Sequence, residues 1–129
     1  MRTSILYILP LTLVAWAHAQ DDYTLESLAA VSEQQVAKLD TNSVRREAGV
    51  TRFDVRVTPK DSEQPGSGIV RNVRYLADCS KGVLAVAGVA IHDAQGRMLK
   101  NAIVPPGTWE YETPAEDSRE AQWLKQVCR

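Results

Sequence analysis

The sequence predicts an α+β domain: one antiparallel sheet with a C-terminal helix tied to one of its faces by a disulfide. Three observations lead there. Apolar and polar residues alternate with a period of two in successive segments after residue 50, the pattern of strands with one buried face. One amphipathic stretch, from Arg119 onward, follows them. Of two cysteines in the chain, Cys79 closes a strand-like run and Cys128 closes that helix.

Residues 1–19 read as a cleavable export signal. Arg2 gives a positive start, Ile5 to Trp16 form a short apolar run, and Ala17-His18-Ala19 is a small-x-small cleavage site. Cleavage between Ala19 and Gln20 leaves one domain over residues 20–129. The apolar run is too short to span a bilayer, and no stop-transfer segment follows it, so no transmembrane segment is expected. No cysteine stands at the cleavage site to carry a lipid, so an unanchored product is expected. The absence of an Asn-x-Ser/Thr acceptor fits a bacterial source. The expected location is therefore the periplasm or the exterior of a bacterium.

That address governs the cysteines. In an oxidising compartment an even cysteine count reads as disulfide, and two cysteines allow one intrachain pairing, Cys79 with Cys128. A loop of about 50 residues gives about 4 kcal/mol in the chain-entropy model. A redox-active pair would need close spacing such as C-x-x-C, which is absent.

Along the mature chain, Leu25, Leu28 and Ala29 have helical spacing in a segment that is short and polar, which leaves its state open. In Val50 to Val57, Thr51, Phe53, Val55 and Val57 alternate with Arg52, Asp54 and Arg56. Asp61 to Gly68 is a polar Pro/Gly loop. Ile69 to Cys79 places Val73, Tyr75, Ala77 and Cys79 on one side with Arg71, and Asn72, Arg74 and Asp78 on the other. Val83 to Ile91 is apolar on both faces, which predicts a central strand covered on both sides. Asp93-Ala94-Gln95-Gly96 suits a type I turn into a strand from Arg97 to Val104, which Pro105-Pro106-Gly107 ends. Thr113-Pro114-Ala115-Glu116 has capping-box chemistry with Pro at the first helical position, while Asp117 and Ser118 offer a later cap. Ala121, Leu124 and Cys128 then line one helix face, with Val127 beside them.

Several segments together resemble the surface-adhesin protein E-like family of proteobacterial envelopes. They are Leu39 to Arg46 followed by Gly49, Val73 to Cys79, Ile91 to Gly96, Val104 to Trp109, and Leu124 to Cys128. The resemblance implies a sheet of about six strands with the helix disulfide-tied to its concave face; the fold class expected overall is a single antiparallel sheet of about five or six strands with that helix on one face. It also implies binding of host matrix proteins, although the lipidated cysteine of the name-giving adhesin has no counterpart here.

Catalysis finds little support. His92 is the one histidine after the signal, and pairing with neighbouring Asp93 is its simplest role. Gly66-Ser67-Gly68 lacks the G-x-S-x-G pattern. Glu110, Glu112, Glu116 and Asp117 fall near a helix start, where acids complement the dipole. No catalytic, metal or cofactor residue is therefore assigned, and no enzyme activity is expected. The full sequence has net charge −1, and −2 without Arg2, which gives no steering toward nucleic acid.

Binding is the better prospect. Arg52, Arg56 and Arg74 fall on solvated strand positions and form a candidate basic face for acidic protein, glycosaminoglycan or lipopolysaccharide phosphate. Trp123 and Tyr75 read as core, while Trp109 and Tyr111 could serve core or interface. The expected function is an exported non-enzymatic binding protein whose partner is a host matrix protein or an envelope component. The alternative is a periplasmic accessory or structural protein without a host ligand.

Overall fold

The computed structural model describes residues 25–60 and 68–129. The export signal, the Ala19/Gln20 junction and the loop over 61–67, with most of Gly66-Ser67-Gly68, lie outside the described residues. The described elements are α1 (Leu25–Ala29), β1 (Gln35–Glu47), β2 (Val50–Pro59), β3 (Val70–Asp78), β4 (Val83–His92), β5 (Met98–Ile103) and α2 (Arg119–Val127).

The strands form one sheet in the order β1-β2-β3-β4-β5, and every neighbouring pair is antiparallel. Five strands are therefore present among the described residues, and the middle one is β3. The doubly apolar strand β4 is interior but off-centre, between β3 and β5. Its second face is closed over Ala85, while Ala87 and Ala90 are only half-buried.

Alternation sets the core. Phe53, Val55 and Val57 of β2 share a face with Val73, Tyr75 and Ala77 of β3, joined by Leu84 and Val89 of β4. Leu28 of α1 and Trp123 and Val127 of α2 close that face. Each such side chain taken fully from water contributes roughly 1.5–3 kcal/mol. The Phe53 and Tyr75 rings, opposite one another in the register, stack at 5.4 Å, and Trp123 tilts against Tyr75 at 5.6 Å.

The disulfide forms as expected, with 5.5 Å between the Cα atoms of Cys79 and Cys128. Cys79 follows β3 directly, and Cys128 caps α2, its N–H donating to the Leu124 carbonyl at 3.0 Å. Of the two caps offered by the sequence, Ser118 is the one used: its Oγ accepts from the Ala121 N–H at 3.1 Å. The earlier Thr113-Pro114 cap is not used, because Glu112 is held in extended pairing with Leu84 and keeps the chain straight there.

Strand β1 has no counterpart in the alternation read from the sequence, although it is the longest strand. Ala37 and Leu39 face the core opposite Val57 and Val55, but an irregularity between Asp40 and Arg45 then shifts the register. Ser43 fills the gap, its Oγ donating to the Asp40 carbonyl and accepting from the Asp54 N–H at 2.7 Å. The β1–β2 hairpin turns through Ala48 and Gly49, both with positive φ as a type I′ turn requires. At the β4–β5 hairpin the Gly96 N–H donates to the Asp93 carbonyl at 3.0 Å, as expected, and Gly96 itself is left-handed.

Candidate functional site

The arginines of the predicted basic face do share a face. Arg52 and Arg56 lie opposite the core side of β2, and Arg74 is paired with Asp54 between them in the register. Strand β1 adds Arg45 opposite Arg52 and Lys38 opposite Arg56. Acids interleave, however. Arg74 donates to both carboxylate oxygens of Asp54, from Nε at 2.9 Å and Nη2 at 3.2 Å, and that hydrogen bonding is the main cause raising its pKa. Arg52 lies 3.6 Å from Glu47. Arg45 donates to the carbonyls of Asn42 and Val44. The face is a charge mosaic in which only Arg56 of the three forms no ion pair among the described residues.

The two sheet edges differ. The β1 edge carries Lys38, Asp40, Arg45, Arg46 and Glu47 and the irregularity at Asp40–Arg45, features that discourage strand addition. The β5 edge carries one charged residue, Lys100, and three exposed apolar side chains: Met98 at 57 %, Leu99 at 57 % and Ile103 at 74 %. No described strand pairs with its outer side.

A cavity of about 820 Å³ opens between α1, β4 and the segment leading into α2. Leu25, Ala29, Leu84, Val86 and Val104 supply apolar wall, while Glu110, Glu112 and Glu120 supply carboxylates. The sequence reading placed Glu110 and Glu112 near a helix start, whereas α2 begins only at Arg119. Both instead belong to an extended stretch anchored by the Glu112 N–H and carbonyl, which bond Leu84 at 2.8 and 2.9 Å. Residues two apart in an extended chain face the same side, so both acids line the cavity. Tyr111 lies between them outside the cavity lining, more than a third exposed, its pKa raised by partial burial and the Asp78 charge.

Tyr75 also lines the cavity. Its pKa is pushed up to about 12, first by burial and then by the Glu120 charge, against lowering by Arg71 and Arg119. At neutral pH it therefore presents a neutral hydroxyl.

His92 does not pair with Asp93. The Asp93 carboxylate accepts instead from the Gln95 and Arg97 N–H groups and from Arg97 Nε at 3.0 Å, because the turn brings those donors within reach. Trp123 is core, and Trp109 is half-buried with an indole N–H that has no partner among the described residues. Asp78, followed by the Cys79 bridge, accepts from the Ser80 hydroxyl, which lowers its pKa. No group of three or more metal-ligating side chains occurs among the described residues. No described helix is long and apolar enough to cross a membrane. No family model, curated protein or solved structure matches the chain.

Proposed function

We propose that this chain is an exported bacterial binding protein that works without catalysis, in the periplasm or outside the cell, by contacting a protein of the host matrix or of the envelope. The contrast between the two sheet edges carries the reading. An apolar, nearly uncharged edge strand offers backbone donors and acceptors to an extended segment of a partner, with Met98, Leu99 and Ile103 to give it side-chain contacts. An oxidised Cys79–Cys128 bond and the export signal read from residues 1–19 support the address. The resemblance to adhesin E-like domains supports the same class of partner.

The test is in-cell photo-crosslinking. A photoreactive residue replaces Ile103 on β5 in one strain and Arg45 on β1 in another, with protease added to intact cells in parallel. Discrete protein adducts from position 103 alone support binding through the β5 edge. Adducts from both positions alike, or from neither, refute it. Protein digested on intact cells has a partner outside, whereas protein protected until the outer membrane is opened has a periplasmic one.

A further inference from the structure

An uncovered apolar edge strand is a template for another strand, and natural sheets blunt such edges with charge, proline or irregularity. Strand β1 is blunted by charge along its length, and β5 is not. The irregularity beside β5 falls at one end, next to Met98, and Pro105 and Pro106 follow the other end. Between them the pairing with β4 is regular from Lys100 to Ile103.

The backbone of β5 fixes which groups a newcomer meets. Val104 donates its N–H to the Ala87 carbonyl of β4 at 2.9 Å. Backbone polar groups alternate in direction along a regular strand. The N–H and C=O groups of Ile103 and Asn101 therefore point away from β4, as does the Leu99 carbonyl. Ala102, packed against the core, marks one face of the strand, so Asn101 and Ile103 present their side chains on the other.

This edge is self-complementary in one register. Directly opposed residues of an antiparallel pair point to the same face, so a two-fold axis at the edge must pass through one residue. An axis at Lys100 would set two ammonium groups directly opposite one another, a repulsive pairing. An axis at Ala102 would set the Leu99 carbonyl against Pro105, which has no N–H to give. An axis at Asn101 meets neither conflict. It sets Lys100 opposite Ala102, Leu99 opposite Ile103 and Met98 opposite Val104, so each exposed apolar side chain of β5 faces an apolar one. Asn101 exchanges both backbone hydrogen bonds with its own copy, and each Ile103 N–H reaches a Leu99 carbonyl.

We propose that a second copy of this chain covers the β5 edge, pairing antiparallel about a two-fold axis at Asn101 to make one continuous sheet. The pairing rests on the reading of β5 as an open binding edge. It adds that a foreign segment gains the edge by displacing the copy.

The test is sedimentation velocity of the purified protein, disulfide intact, over about 1–300 μM, the range in which small protein interfaces form and dissociate. The parent should shift from monomer to dimer across it. Ile103→Glu should lose the dimer while melting at the parent temperature, since that side chain is exposed. The double variant Leu99→Lys/Ile103→Glu should regain it, because only this register sets position 99 of one copy opposite position 103 of the other. A parent that stays monomeric, an Ile103→Glu variant that still dimerises, or a double variant that stays monomeric overturns the proposal. Should Ile103→Glu melt early, Asn101→Lys decides, since it sets like charges on the axis: a retained dimer then refutes the pairing. In the crosslinking strains an adduct of twice the chain's mass is the second copy, and any other mass is a foreign partner. A dimer without foreign adducts refutes the foreign partner alone, whereas foreign adducts from a chain that is monomeric when pure refute the dimer alone.

Discussion

Arg71 of β3 donates through Nη2 to the carbonyl of Ala30 at 2.7 Å, fastening the residue that follows α1 to the sheet. The same guanidinium bonds the Leu28 carbonyl and reaches Gln35 Oε1 at 2.8 Å. A five-residue helix is too short to persist alone, so its place over the core depends on this clamp and on the burial of Leu28. Burial lowers the Arg71 pKa, and carbonyl oxygens at a helix end supply the negative charge that no carboxylate among the described residues supplies.

Arg71→Met should therefore lower the unfolding free energy by about 1.5–3 kcal/mol, the usual range for hydrogen bonds to a charged group. Denaturant titration measures the total. Hydrogen exchange localises it, with faster exchange expected across Leu25–Ala29 and unchanged exchange in α2. Uniformly faster exchange would show that the arginine supports the whole sheet rather than α1.

The Cys79–Cys128 bond spans 49 positions of sequence and holds a nine-residue helix to the core face. Cys128→Ser should cost about 2–5 kcal/mol. Reducing the parent protein should reproduce that loss in a melt, and a variant that melts with the parent would show that α2 is held by Trp123 and Val127 alone.

Tyr75 predicts an alkaline effect. Its pKa is about 12 folded against 10.0 unperturbed, so the unfolded chain gives up the proton first as pH rises. Its contribution is fully present below pH 10 and is lost as pH climbs through 12, by about 2–3 kcal/mol across that window. Stability measured between pH 9 and 12 should fall for the parent and fall less steeply for Tyr75→Phe. Equal slopes would place the hydroxyl in contact with solvent.

Much of the sheet was legible in the sequence because its inner strands alternate without interruption. Phe53, Val55 and Val57 point inward by period alone, and Val73, Tyr75 and Ala77 do the same. Strand β1 was hidden because the register shift after Asp40 changes which parity faces inward, and Thr41, Asn42 and Ser43 interrupt the alternation there. The choice between Thr113 and Ser118 as cap was beyond local chemistry. It is decided by the pairing of Glu112 with Leu84, 28 positions away in sequence. The cavity was illegible for the same kind of reason, being assembled from α1, β3, β4 and α2 with the segment before it. The alternation of Glu110 and Glu112 about Tyr111 was the one trace it left in the sequence.

In this sheet every strand lies beside its neighbour in sequence, so each hairpin can zip onto the one before it as the chain leaves a ribosome or translocation pore. The disulfide follows another schedule. Cys128 lies beyond β5, so Cys79 stays a free thiol while β4 and β5 are still arriving. In that interval the half-built domain can be intercepted by any other thiol or oxidant. Maturation of this protein then depends on when an oxidising catalyst reaches it as much as on how fast its strands pair.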